Sequence, residues 1–334
     1  MRIAAGLSGG VDSSVAALLL KRAGYDVVGV TMDLGRDGEE KNIAEARAAA
    51  GCLGIPLEIV PLANEWKEAV LAYARDAYRG GRTPNPCIRC NETVKFGLLP
   101  RWAFENLGCG RFATGHYARV ADGRLFRGVD RSKDQSYFLY RVDRDILSRT
   151  ILPLGGMLKS EVRSIAREAG FACAEKGDSQ DFCGGDIGGV IDLEDREGDI
   201  VDTDGRKLGV HHGYWHYTVG KRKGLGIGGG TPYYVVRLDA ARNEVVVAFK
   251  EKAVTREIDL VDTVGEIDMS LPVKTRSAGE PRLLKDGIVG VAPGQSAVFY
   301  RGDEVVGGGI IARSRAWSGL QSAFHGRPND GNNQ

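Results

Sequence analysis

Two stretches of this chain combine residue types and spacing that can do chemistry. The first is Thr83-Pro84-Asn85-Pro86-Cys87-Ile88-Arg89-Cys90-Asn91, a proline-bounded loop leading into a helix near Val94. A thiol near a helix N-terminus, with Arg89 and Lys95 close in sequence, is expected to have a lowered pKa and to be substantially thiolate. A third thiol, Cys183, stands in Asp178-Ser179-Gln180-Asp181-Phe182-Cys183-Gly184-Gly185, where the glycines predict a loop in which it can swing. Structural zinc wants four ligands, typically from two CxxC pairs. Only one pair exists, and His116, His211, His212, His216 and His325 have no finger-like spacing. Redox or persulfide chemistry is the leading reading. A [4Fe-4S] cluster held by Cys87, Cys90 and Cys183, with one open iron, is the alternative. Cys52, Cys109 and Cys173 fall in helical or apolar contexts and read as packing residues.

The second stretch is Ser8-Gly9-Gly10-Val11-Asp12-Ser13-Ser14, between a predicted strand and a predicted helix. Glycines let backbone approach phosphate oxygens, and a helix start offers unpaired N–H groups and a partial positive charge. Ser8, Ser13 and Ser14 add hydroxyl donors. The loop lacks the lysine of a Walker motif and the spaced glycines of a dinucleotide fingerprint. SGGVDS in this position resembles the PP-loop of the adenine-nucleotide alpha-hydrolase superfamily. Those enzymes cleave ATP between its α- and β-phosphates and adenylate a substrate oxygen. The resemblance implies that Asp12 places Mg²⁺ or orients the loop.

These groups need a scaffold, and the hydrophobic pattern supplies one. Arg2 to Leu7, Asp26 to Met32 and Leu57 to Leu62 read as buried strands. Ser13 to Ala23, Glu39 to Leu53 and Asn64 to Tyr78 read as helices, and Arg111 to Gly115 as a further strand ending at a loop. Strand–helix alternation predicts an α/β fold with a parallel sheet covered on both faces. After about residue 190 short strands and turn signals take over, and Tyr233 to Phe249 reads as a hairpin around Ala240 to Asn243. The expected organisation is a nucleotide-binding domain over 1–192, a small central domain over 193–253, a C-terminal β-barrel over 254–318 and a flexible tail over 319–334.

The balance of 45 basic and 44 acidic residues, net charge +1, excludes a chain-wide cationic surface. Any nucleic-acid site must be a local patch. Lys221-Arg222-Lys223 beside Tyr214, Trp215 and Tyr217 suits RNA, and equally a solvated turn beside a core strand. No long apolar run suggests a signal or a membrane span, so a cytoplasmic protein with no membrane partner is expected.

An ordered set of segments resembles the bacterial tRNA-specific 2-thiouridylase family. These are SGGVDSSV (8–15), GRTPNPCIRCN (81–91), KFG (95–97), ATGHYARV (113–120), KDQSYFL (133–139), DSQDFC (178–183), YTVGKRKGLGI (217–227), APGQSAVFY (292–300) and GGGII (307–311). The resemblance implies ATP contacts at Gly6, Leu7, Ser8, Gly9, Gly10, Val11, Asp12, Ser13, Met32 and Gly115. It implies tRNA contacts at His116, Lys133, Asp134, Gln135 and Gln295, with the target base near Asn85, Pro86 and Cys87. Cys90 matches the family's first catalytic cysteine, and Cys183 the one that carries persulfide sulfur. The expected reaction adenylates the C2 oxygen of the wobble uridine in tRNA for Lys, Glu and Gln. Sulfur then comes from a relay protein or a cysteine desulfurase. Two departures stand out: many members have Asp where this chain has Cys87, and Arg276-Ser277 falls where they often show Arg-Tyr against tRNA.

Overall fold

A computed structural model of the chain describes residues 1–177, 192–228 and 230–315. Apolar, β-branched runs form the first sheet. Strands β1 (Arg2–Gly6), β2 (Asp26–Asp33), β3 (Leu57–Pro61), β4 (Arg111–Ala113) and β7 (Thr150–Ile151) lie in the order β3-β2-β1-β4-β7. All pairings are parallel, with Ile3 opposite Val27 on one side and Arg111 on the other. Helix α1 (Val11–Arg22) follows β1, and α2 (Glu39–Leu53) follows β2. Parallel strands must be buried on both faces, because their crossover helices cover them. One face packs Val28, Val30, Trp66, Phe96 and Phe112; the other packs Ile3, Ala5, Val15, Ala17 and Ala50. Each fully buried Val, Leu or Phe contributes about 1.5–3 kcal/mol.

The chain builds outward from β1 to β3, then returns to lay β4 on the opposite flank of β1. That reversal opens a crevice at the carboxyl ends of β1 and β4, where ligands of open α/β sheets bind. The elements match the sequence reading to within a residue or two. The expected helix over 64–78 is one helical run from Ala63 to Arg79, with a π turn at Lys67–Leu71.

The second sheet contains β8 (Gly198–Val201), β9 (Lys207–His211), β10 (Tyr234–Asp239) and β11 (Glu244–Ala248), ordered β10-β11-β8-β9. The hairpin expected around Ala240 to Asn243 is the β10–β11 pair. Tyr214 and Trp215 are buried in its core with Ile200, Val235 and Val245, and the Tyr214 hydroxyl donates to the carbonyls of Tyr78 and Arg79 at 3.1 Å. These aromatics belong to packing and do not present a face to RNA.

The last sheet joins β14 (Val273–Lys274), β16 (Ser296–Arg301) and β17 (Glu304–Arg315), with β13 (Glu257–Gly265) on β17. It is completed by β5 (Ala118–Ala121) and β6 (Arg124–Arg127), a hairpin from the first 192 residues, with Phe126 opposite Glu304. The texture of the sequence does not reveal this crossing, because a short hairpin reads the same in any sheet.

A buried charge network seals the same junction. The Asp134 carboxylate accepts from the backbone amides of Gly128 and Ser136 at 3.1 Å and lies 3.3 Å from Arg127 Nε and 3.7 Å from Lys274 Nζ. Its side chain is 1% exposed. Removing one partner of such a group strands the others in low dielectric. Asp134→Asn should therefore lower unfolding free energy by about 3 kcal/mol, read by urea denaturation; a loss under about 1 kcal/mol would contradict it.

Candidate active site

The turn after β1 is held in shape by its own hydrogen bonds. Ser13 Oγ lies 3.1 Å from both the Ser8 amide and the Ser8 hydroxyl, and donates to the Gly10 carbonyl at 3.1 Å. Ser14 Oγ donates to the same carbonyl at 2.9 Å. Gly9 has φ +74, and a Cβ there would meet the Glu45 backbone at 2.4 Å. Only glycine satisfies both the left-handed conformation and the space. The loop thereby sets the start of α1 at the carboxyl end of β1, beside β4.

Gly115 closes the other wall. A Cβ on it would lie 2.6 Å from the Asp12 carbonyl carbon and 2.8 Å from the Ser13 nitrogen, so the turn after β4 touches the start of α1 directly. Gly6, Leu7 and Val11 support the loop from beneath, Leu7 and Val11 in the core below it. Met32, at the end of β2, packs against the opposite core.

Asp12 shows a group that sequence reasoning missed. Lys159 Nζ donates to both Asp12 carboxylate oxygens at 2.7 Å, and the Tyr117 hydroxyl donates to Oδ1 at 2.9 Å. Lys159 begins the helix Lys159–Glu168. The sequence does not mark it, because a lysine at the start of a helix is commonplace. The pairing orients Asp12 and puts a cation at the mouth of the phosphate loop.

Cys87 and Cys90 sit one helical turn apart in Pro86–Cys90, which continues as one helical run to Leu107. Asn85 caps the run, its Oδ1 accepting from the Ile88 amide at 3.2 Å, and Pro86 takes the first turn, where its missing N–H costs nothing. Cys90 packs against the cluster holding Met32, Leu34, Val94 and Phe96. The expected low pKa is not found. Burial pushes the Cys90 thiol up, and the opposing Lys95 and Arg36 charges only moderate it. Desolvation of the thiolate outweighs the helix terminus and its neighbouring cations.

His116 follows Gly115. Its Nδ1 is 2.7 Å from Thr114 Oγ1, and its ring lies 5.4 Å from Phe96. Burial, then the Lys95 ammonium, push its pKa well below the ordinary histidine value of 6.5. The imidazole is thus neutral at pH 7, and Lys95 acts on both His116 and Cys90. The unfolded chain binds a proton below about pH 6.5 that folded His116 refuses. This part of the stability is complete above pH 6.5 and is lost as pH falls. His116→Gln should lose less stability between pH 7.5 and pH 5 than the wild type, by denaturant titration at both values; equal losses would contradict it.

The other sequence-derived residues divide. Cys183 lies outside the described residues. Asp134 is committed to Arg127 and Lys274, and Gln135 Oε1 accepts from the Tyr117 amide at 2.9 Å, so both brace the turn that carries Lys133. Arg276 and Ser277 are exposed, on the bend between Lys274 and Glu280. Since Lys274 pairs with Asp134 and Glu280 with Arg127, the fold brings this bend beside Lys133. Gln295 reaches the Thr83-Pro84 backbone. Among the described residues no three His, Cys, Asp or Glu side chains converge on a metal position, and no helix is long and apolar enough to cross a membrane.

The turn after β1 thus meets Gly115 at the carboxyl edge of the first sheet, and Lys95 acts on both His116, next in the chain, and the half-buried Cys90 thiol. Comparison with known proteins places the chain in a family. The family model described as tRNA methyl transferase HUP domain matches residues 1–184, its PRC-barrel domain matches 191–249, and an aminomethyltransferase beta-barrel domain matches 283–311. The tRNA-specific 2-thiouridylase MnmA of Trichormus variabilis is 43% identical over 93% of this chain and 98% of its own length. The protein of the same description from Endomicrobium trichonymphae is 40% identical over 93% of this chain and 99% of its own. That from Azorhizobium caulinodans is 43% identical over 94% and 93%.

Proposed function

The chain belongs to the tRNA-specific 2-thiouridylase family, a family of sulfurtransferases, and we propose that it uses ATP to replace the C2 oxygen of the wobble uridine of tRNA with sulfur. The observation that supports this most is the built turn at the end of the first strand: the Ser8–Ser13 loop, tied by its own hydroxyls, with Gly115 packed directly against Asp12.

A carbonyl oxygen is a poor leaving group. In the proposed reaction the uridine C2 oxygen attacks the α-phosphorus of ATP, and pyrophosphate leaves. Loop amides and Lys159 offset the charge that develops on the phosphates. Mg²⁺ supplies further charge neutralisation when bound. Asp12 is the carboxylate that the loop itself carries, and with no three-ligand cage among the described residues the phosphates and water would complete the ion's shell, which suits Mg²⁺. The terminal sulfur of a Cys183 persulfide then attacks C2, and AMP leaves with the former C2 oxygen. The Cys90 thiolate attacks the inner sulfur of Cys183. The S–S pair stays with the sulfur on C2, giving 2-thiouridine and a Cys90–Cys183 disulfide that an external thiol must reduce. Alternatively Cys90 attacks the persulfide first and releases sulfide.

The target base must leave the anticodon stack to reach this crevice. Asn85, Pro86 and Cys87 would line its place, and Lys133, Arg276 and Ser277 would meet tRNA at the neighbouring surface. The acceptors are tRNA for Lys, Glu and Gln, the donor is a relay protein or a cysteine desulfurase, and the setting is cytoplasmic.

The test is to incubate the full chain with unmodified tRNA, Mg²⁺-ATP and a sulfur source, and to measure nucleosides by mass spectrometry and the protein's anaerobic absorption spectrum. A colourless protein that forms 2-thiouridine and AMP supports the persulfide route. Activity confined to a brown, iron-containing protein would instead make Cys87, Cys90 and Cys183 cluster ligands. AMP without thiolated RNA would sink the reading.

A further inference from the structure

We propose that Gln295 is a positioning residue for the thiol chemistry: through it the last barrel holds the backbone that leads into Cys87 and Cys90. Its side-chain Nε2 donates to the Thr83 carbonyl at 3.1 Å and to the Pro84 carbonyl at 3.0 Å. Both amide hydrogens are therefore engaged by a loop 212 and 211 residues away in sequence. Those two carbonyls precede the helix that starts at Pro86, so the helix cannot satisfy them.

A second bond fixes the same point from the other direction. The Thr83 amide donates to the Pro293 carbonyl at 2.8 Å. The turn that makes these contacts is anchored in the barrel: Gly294 donates to Ile311 at 2.8 Å, Ile311 donates to Gln295 at 2.8 Å, and Ala292 is buried. Gly294 has φ +93, and a Cβ there would come within 2.9 Å of the Thr83 backbone. Glycine is required for both reasons, as expected where two backbones meet this closely.

The grip transmits because little between it and the thiols can flex. Pro84 and Pro86 have fixed φ angles, and Asn85 between them is held as the helix cap. Only Asn85 and Pro86 separate Pro84 from Cys87. Placement errors of about 1 Å can cost on the order of a hundredfold in rate. The barrel thus contributes to the reaction without touching the reacting atoms. The resemblance noted above assigns Gln295 to tRNA contact, and the two roles make different predictions. A pure RNA contact would weaken tRNA binding and leave the saturated rate unchanged. A positioning residue does the reverse.

This inference rests on the assignment of Cys90 above, and the test separates the two. Gln295→Glu keeps the shape but cannot donate to the carbonyls. The full-length variant is compared with wild type in thermal melting, tRNA affinity, single-turnover thiolation at saturating tRNA and ATP, and iodoacetamide labelling of Cys90 read by peptide mass spectrometry. The single-turnover rate should fall about 10- to 100-fold, with the tRNA Kd unchanged within about twofold and Cys90 labelling faster. Gly294→Ala, which disrupts the same contact from the backbone, should reproduce the pattern. Labelling does not depend on turnover, so it reports on the grip even if the proposed reaction is wrong. Weakened tRNA binding with an unchanged saturated rate, or unchanged Cys90 labelling in both folded variants, would overturn the proposal. If Gln295→Glu fails to fold, hydrogen exchange of the 82–90 segment in Gly294→Ala decides: protection equal to wild type overturns it.

Discussion

Cys90→Ser is expected to abolish 2-thiouridine formation, by on the order of a thousandfold or more, while pyrophosphate release in a first turnover survives. Serine is nearly isosteric, so the helix from Pro86 and the packing against Met32, Val94 and Phe96 should persist. The loss comes from nucleophilicity. A hydroxyl of high pKa cannot attack a sulfur–sulfur bond at neutral pH, whereas a thiol can. Burial raises the Cys90 pKa, and Lys95 and Arg36 restrain the rise. Iodoacetamide labelling of wild-type Cys90 should therefore accelerate from pH 7 to above pH 9, and Lys95→Met should slow it at a given pH. Full thiolation by Cys90→Ser would move the nucleophile elsewhere, with Cys87 one turn earlier as the first candidate.

Gly115→Ala should remove ATP-dependent chemistry at its source. The added methyl would stand 2.6 Å from the Asp12 carbonyl carbon and 2.8 Å from its oxygen. Both are backbone atoms at the start of α1, so no side chain can swing aside. Either the turn after β4 or the phosphate loop must shift. Overpacking of this kind costs about 1–3 kcal/mol, which a domain of this size can absorb. Function is less forgiving, because the loop amides must lie within hydrogen-bond distance of the phosphates. ATP affinity should fall by roughly a hundredfold, measured by equilibrium binding on protein that still melts cooperatively. Affinity within about twofold of wild type would mean that this wall does not shape the nucleotide site.

Local patterns were the legible part of this molecule. The strand–loop–helix unit around Ser8 to Ser14 and the parallel alternation of strands and helices follow from apolar runs and glycines within short windows, and the structure reproduces them closely. What escaped depends on contacts between distant residues. Asp12 and Lys159 are 147 positions apart, and neither carries a mark of the other. The Lys133-Asp134-Gln135 run looks like a solvated turn, yet Asp134 is buried because Arg127 and Lys274 approach from two different strands. The Cys90 pKa was misjudged in sign because adjacent cations are visible in sequence and desolvation is not. Tyr214 and Trp215, adjacent to a basic stretch, turned inward because the second sheet needs its own core.

If ATP activates the uridine C2 oxygen so that sulfur can displace it, that oxygen must leave with AMP. The most direct measurement uses tRNA carrying ¹⁸O at C2 of the wobble uridine, in a single turnover with Mg²⁺-ATP and a sulfur donor, followed by mass spectrometry of AMP and nucleosides. One ¹⁸O atom is expected in the phosphate of AMP for each 2-thiouridine formed. Thiolated RNA accompanied by unlabelled AMP would contradict it, because the oxygen would then have left without passing through an adenylate.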